Sequence, residues 1–273
     1  MVFQLQSYLK FILKSSNEHG IHSPFVFNLV TKCFYDKTVY PEYQLLKQYR
    51  QSLLKNKSSI EVTDFGAGSR VFTSNSRTIA AIAKNAGIST KNAELLFRIV
   101  RYFQPNSILE IGTSLGLATN SLALGNPKAK VNTLEGCPKT LNTAKQQFEQ
   151  LKFENPNINF INTEFSKYLT ENREITYDFV YFDGNHSKEA TLEYFELLLP
   201  TINNDTLWIF DDIHWSPDMN EAWKQIQNHP AVTVSIDTFQ WGMIIFRKEQ
   251  NKEHFIINPE KNLSSFLFEK IKI

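Results

Sequence analysis

The sequence predicts an α/β fold: a doubly wound, mostly parallel sheet of seven strands, preceded by a helical extension. Three observations carry this. From Ser107 onward, short apolar runs alternate strictly with stretches of helical period, the pattern of strands joined by crossover helices. Ile108, Leu109 and Ile111 form a run of the kind buried on both faces of a parallel sheet. Gly112 and Gly116 then bound a turn ahead of an apolar helix, Leu117 to Leu124. Strand, glycine turn and helix make a Rossmann-like cradle, in which glycines allow the close turn and the helix N-terminus offers free N–H groups.

Residues 1–57 read as helical and irregular. Ser23-Pro24 opens one of these helices, with Pro in its first turn. The stretch 60–69, ending in Gly66-Ala67-Gly68-Ser69, imitates a glycine turn after a strand. Its strand alternates with polar residues, the segment 70–77 is polar, and no acid lies about twenty residues on, so it is read as a structural loop. Residues 76–86 read as a helix ended by Gly87, and Ser89 or Thr90 caps the next helix, 91–103. Strands are expected at 107–111, 130–135, 158–162, 177–183, 205–211, 231–237 and 241–247. Helices are expected at 115–125, 138–152, 165–171, 187–199 and 217–228. The last two strands lack a helix between them and are expected to form an antiparallel edge hairpin. Residues 251–273 are expected to form a short strand and an amphipathic tail helix. The chain is thus divided into an extension (1–86), a main domain (87–250) and a tail packed on it (251–273).

Composition bounds the function classes. With 29 basic and 28 acidic residues the net charge is +1, which gives no global argument for nucleic acid or membrane binding. The 22 phenylalanines and 10 tyrosines point to aromatic cores or an aromatic-lined pocket. Cys33 and Cys137 are far apart without metal-ligand spacing and read as reduced thiols of a cytoplasmic protein. The apolar start, 1–13, is interrupted by Gln4, Gln6 and Lys10. It reads as an amphipathic helix that packs on the domain or on a second subunit, giving a candidate homodimer, and neither as a signal peptide nor as a membrane span.

Where a pyrophosphate turn shows G-x-G-x-x-G, the pattern here is Glu110-x-Gly112-x-x-x-Gly116, with an acid inside the strand end. A carboxylate there repels phosphate and accepts from an ammonium or, through water, from ribose. That suits S-adenosylmethionine. A second acid, Glu135, ends the following strand, where ribose hydroxyls are held in such folds. With Ile88-Ser89-Thr90, Leu95-Leu96 and Ile108 to Thr113, these residues resemble class I S-adenosylmethionine-dependent methyltransferases. More narrowly, they resemble O-methyltransferases of the catechol, caffeoyl-CoA and macrocin types. The resemblance spans Gly87 to about Arg247 and excludes the N-terminal 85 or so residues.

Site residues follow from strand ends and from this resemblance. Cofactor candidates are Glu110, Gly112, Thr113, Ser114, Gly116, Glu135, Gly136 and Asp183. The resemblance adds Ser89, in a loop that lies against the cofactor. It also adds Glu164-Phe165 for the adenine ring, in place of the more usual Asp-Ala. Glu164 is read equally as a helix N-terminal acid. Asp183, Asp211 and Asp212 end adjacent strands, and three clustered carboxylates repel unless a cation joins them. Oxygen-only ligands favour Mg²⁺ or another hard divalent ion, and the trio resembles that of metal-dependent O-methyltransferases. In the metal-free alternative, Asp183 holds the methionine amino group and Asp212 caps a helix. His186, at the spacing of the catechol-type base, and His214 are the base candidates beside Asp183.

The reading is methyl transfer to a small-molecule hydroxyl. Three alternatives are kept: a metal-free N- or O-methyltransferase, a nicotinamide-dependent oxidoreductase and an inactive cofactor-binding module.

Overall fold

The computed structural model describes residues 2–63, 74–151 and 157–260. The N-terminal part runs α1 (Val2–Lys14), α2 (Pro24–Leu29, continued as a π-helical turn Val30–Phe34), α3 (Glu42–Lys55), β1 (Ser59–Glu61), β2 (Ser76–Thr78), α4 (Ile79–Asn85) and α5 (Thr90–Phe103). Ser23 caps α2 through its hydroxyl, with Pro24 in the first turn. Ser89 caps α5 in the same way, accepting from the Asn92 N–H at 3.2 Å.

Residues 76–78 are not helical as expected. They form β2, which pairs antiparallel with β1, Ile60 opposite Arg77. The helix starts only at Ile79, where the Thr78 hydroxyl accepts from Ala81 N–H. Pairing β1 with β2 keeps Ile60 and Glu61 out of the main sheet. Residues 64–69, including Gly66 and Gly68, lie outside the described residues, as do residue 152 and the expected tail helix beyond 260.

From β3 (Ser107–Ile111) the order is α6 (Leu117–Gly125), β4 (Lys130–Glu135), α7 (Pro138–Gln150), β5 (Ile158–Asn162), α8 (Phe165–Glu171), β6 (Phe179–Phe182), α9 (Lys188–Leu198), β7 (Leu207–Asp211), α10 (Pro217–Asn228), β8 (Val234–Asp237), β9 (Trp241–Ile245) and β10 (Glu253–Ile256). Among the described residues the main sheet has eight strands, ordered β10-β8-β9-β7-β6-β3-β4-β5. β9 alone of these runs antiparallel to its neighbours. The expected hairpin β8–β9 is present but is not the edge. β10 pairs parallel with β8, Glu253 opposite Val234, and satisfies backbone groups that a bare edge would leave open.

β3, β6 and β7 are buried on both faces, which explains their unbroken apolar runs. The N-terminal helices share the core of the sheet: Val26, Leu29 and Cys33 are buried in one cluster with Leu96, Leu122 and Val131. Tyr49 and Leu53 are buried with Leu115, Leu117 and Phe148. Both cysteines are free and buried. No helix among the described residues is long and apolar enough to cross a membrane.

Candidate active site

The strand order reverses at β3, which lies between β4 and β6. The crevice beyond the carboxyl ends there is where such folds bind ligands. Gly112 and Gly116 have φ of 105° and 77°, in the left-handed region that glycine enters without cost. Close approach requires them too. A Cβ on Gly112 would sit 2.4 Å from the Asp183 carbonyl oxygen, and one on Gly116 would sit 2.6 Å from the Tyr49 hydroxyl. Gly112 therefore lets the ends of β3 and β6 meet.

Glu135 braces the turn from the neighbouring strand. Its carboxylate accepts from Ser114 N–H and Cys137 N–H, each at 2.9 Å. Burial raises its pKa, opposed by these backbone donors. Glu110 is fully buried, and its Oε2 accepts from the Thr119 and Thr133 hydroxyls, both at 2.5 Å. Its Oε1 has no partner, and burial pushes its pKa up to about 8. Thr113 joins the same buried network through Thr133 Oγ1 at 2.5 Å. A narrow cleft opens beside the turn, lined by Gly87, Ile88, Thr113, Ser114, Leu117 and Asp183.

Two of the expected cofactor neighbours have local partners. Glu164 is exposed and caps α8, accepting from Ser166 and Lys167 N–H at 3.1 and 2.9 Å. Ser89 uses its hydroxyl as the cap of α5. Phe165 lies against the residue after Asp183: a Cβ on Gly184 would be 2.5 Å from Phe165 Cε2.

The three aspartates do converge. Burial raises the pKa of Asp183, opposed by its pairing with His186. Burial, then the charges of Asp212 and Asp183, push the pKa of Asp211 well above the ordinary carboxylate range. His186 Nε2 lies 3.5 Å from Asp183 Oδ1. Burial alone would lower the pKa of His186. Its hydrogen bond to Asp183 and the charges of Asp212, Asp183 and Asp211 outweigh that and push it up to about 9. His186 is therefore an imidazolium at neutral pH and has no lone pair to take a proton.

His214 turns away from the aspartates. Its Nε2–H donates to Asp237 Oδ2 at 2.8 Å, and its Nδ1 accepts from Asn220 at 3.0 Å, leaving neither nitrogen open. As arranged, neither histidine fits the base role expected from the sequence.

Gln240 is a site residue that the ends of the first five strands do not reveal. Its Nε2 donates to Asp211 Oδ1 at 2.7 Å and to Asp212 Oδ1 at 2.6 Å. A signal for it exists in the topology: β8 runs parallel to β7, so the turn after Asp237 lies on the same side of the sheet. Tyr49 and Arg50, from the part outside the family resemblance, were not expected either. They donate to Leu115 O and Ile88 O, on either side of the cleft.

The donor set bears on the expected cation. The aspartates offer oxygen atoms, as a hard ion requires, but Asp183 is paired with the His186 ring, and Asp211 and Asp212 are engaged with the Gln240 amide nitrogen. Among the described residues no group of three or more acid, histidine or cysteine side chains is arranged to hold a metal ion. As arranged, these residues do not fit a divalent cation.

Residues 109–213 match the family model described as a methyltransferase domain. Over that stretch the chain is similar to this domain. Its fold is that of the class I S-adenosylmethionine-dependent methyltransferases, as solved structures of low identity show. The methyltransferase PaMTH1 of Podospora anserina, bound to S-adenosylhomocysteine, is 14% identical, with a TM-score of 0.57 over 83% of this chain and 97% of that one. TomG of Streptomyces achromogenes, an O-methyltransferase involved in tomaymycin synthesis and in complex with S-adenosylmethionine, is 15% identical. Its TM-score is 0.54 over 80% of this chain and 95% of that one. An O-methyltransferase of Bacillus cereus, in complex with S-adenosylhomocysteine, is 17% identical, with a TM-score of 0.52 over 81% and 97%. These matches extend well beyond the methyltransferase domain, into the N-terminal helices.

Proposed function

We propose that the protein is an S-adenosylmethionine-dependent methyltransferase acting on a hydroxyl of a small molecule. One observation carries the reading: the Gly112–Gly116 turn, braced by the Glu135 carboxylate, stands at the switch point of a methyltransferase domain with Asp183 beside its cleft. The descriptions of TomG and the Bacillus cereus protein as O-methyltransferases support oxygen as the acceptor atom.

When bound, the cofactor supplies an electrophilic methyl group on a good leaving group. The chain provides the geometry. Glu135 holds the ribose hydroxyls, and Asp183, with His186 as its counter-ion, receives the methionine ammonium. Ser89, Glu164 and Phe165 flank the rest of the cofactor. Catalysis comes mainly from alignment of acceptor and methyl group. With His186 protonated and His214 fully bonded, Asp212 is the group that accepts the hydroxyl proton.

Calorimetry with S-adenosylhomocysteine and NAD tests the class. S-adenosylhomocysteine should bind and NAD should not; the reverse would establish an oxidoreductase. Glu135→Ala removes charge-assisted hydrogen bonds worth roughly 1.5–3 kcal/mol, so affinity should fall about tenfold or more. Transfer of a labelled methyl group from S-adenosylmethionine to hydroxyl compounds separates an enzyme from an inactive binding module.

A further inference from the structure

Phe239 and Gln240 form the turn between β8 and β9. Phe239 has φ of 71°, a left-handed conformation uncommon for a bulky side chain. Such conformations persist where the surroundings over-determine them, and here they do. The Phe239 ring meets Tyr8 edge-on at 5.0 Å and Phe11 at 5.5 Å, both from α1. On its other side it stacks on the His214 ring at 5.1 Å and 13°. His214 is itself fixed by Asp237 and Asn220, and Asp237 Oδ1 accepts from Phe239 N–H at 2.8 Å. Asp212, across the site, is also left-handed, with φ of 54°.

What this construction holds in place is one amide group. The nitrogen of a primary amide carries two protons, and here it faces two carboxylate oxygens, Asp211 Oδ1 at 2.7 Å and Asp212 Oδ1 at 2.6 Å. A divalent ion bridging those oxygens would need to lie about 2.0–2.6 Å from each, in the space that the nitrogen fills.

We infer that Gln240 is a positioning residue that takes the place of a bridging cation, joining Asp211 to Asp212 so that the methyl-transfer site is built without a metal. The inference rests on the methyltransferase reading above. It also gives α1 a role in the site. Through Tyr8, Phe11 and Phe239, the N-terminal helix sets where the Gln240 amide stands.

The experiment is a Mn²⁺ titration of the full chain followed by electron paramagnetic resonance, with and without S-adenosylhomocysteine. The wild-type chain should leave the free-ion spectrum unchanged up to ~1 mM, the weak end of protein cation sites. Gln240→Glu should bind Mn²⁺ roughly tenfold or more tightly than the wild type, since a fourth carboxylate raises the ligand charge. That binding should disappear when Asp212→Asn is added. Gln240→Met keeps the side-chain volume and removes both N–H donors, so it should bind Mn²⁺ to a lesser degree. Wild-type binding of Mn²⁺ that is lost in Asp212→Asn overturns the inference, and this arm needs no Gln240 variant to fold. So does failure of both Gln240 variants to take up Mn²⁺ while each still binds S-adenosylhomocysteine, because the amide would then not be what keeps the ion out. Failure of the wild-type chain to bind S-adenosylhomocysteine would end the cofactor reading and leave the Mn²⁺ arms to be judged separately.

Discussion

The hydroxyl of Tyr49 donates to the Leu115 carbonyl at 2.8 Å, linking α3 to the middle of the glycine turn. Tyr49 is fully buried against Phe148, with ring centroids 5.0 Å apart. The turn that defines the cofactor cleft is thus fixed partly from a helix outside the matched methyltransferase domain. Tyr49→Phe keeps the ring and leaves a buried carbonyl without this donor, a loss of about 1–3 kcal/mol. Stability in urea should fall by that order, and S-adenosylhomocysteine should bind more weakly. A normal stability loss with unchanged affinity would show that α3 supports the fold without positioning the turn.

Gly112→Ala tests the meeting of β3 and β6. Alanine at φ 105° is strained, and its Cβ would press on the Asp183 carbonyl. The neighbour is backbone and cannot swing aside. Destabilisation should exceed ~1 kcal/mol, and cofactor affinity should drop because Asp183 moves with its strand end. Retention of both would mean that the strand ends can separate freely.

Glu110 gives a pH dependence with a definite sign. Burial raises its pKa from 4.5 to about 8, so the folded state holds this proton more tightly than the unfolded chain. Its contribution to stability is fully present below about 4.5 and is lost as pH rises to about 8. The slope from one proton is up to ~1.4 kcal/mol per pH unit. Glu110→Gln cannot ionise and should flatten that part of the profile. Urea midpoints at pH 5 and pH 8 should therefore favour the variant more at pH 8. Parallel profiles for the two proteins would sink this assignment.

His186 should titrate by proton NMR near about 9 rather than near 6.5, its ordinary value. In Asp183→Asn one of the charges that raise it is gone and the remaining amide oxygen is a weaker acceptor, so the midpoint should fall. A wild-type midpoint below 7 would return His186 to the role of base.

Local pattern carried a large part of this molecule. β3, β4, β5, α8 and α10 begin and end at the positions read from apolar runs, prolines and caps, because strand period, helix period and turn chemistry are encoded within a few residues of one another. The glycine turn and the acids at strand ends were legible for the same reason, and alternating order was enough to bring Asp183, Asp211 and Asp212 together.

What the sequence did not determine was decided by contacts between distant segments. Ser76 to Thr78 became a strand because Ser59 to Glu61 was there to pair with it. The short strand expected after residue 250 formed as β10, but its place beside β8, covering that edge, was a matter of backbone partners rather than of side-chain pattern. The turn after Asp237 reached the aspartates only because β8 lies parallel to β7, two places away in the sheet. With it came Gln240, a polar residue that no short-range pattern marks. The histidines show the same division. Their spacing from strand ends was visible in the sequence, but His186 was made a cation by three aspartates from two strands, and His214 was turned aside by Asp237 and Asn220. Protonation and hydrogen-bond partners depend on burial and on charges brought close by folding, and those are properties of the tertiary structure alone.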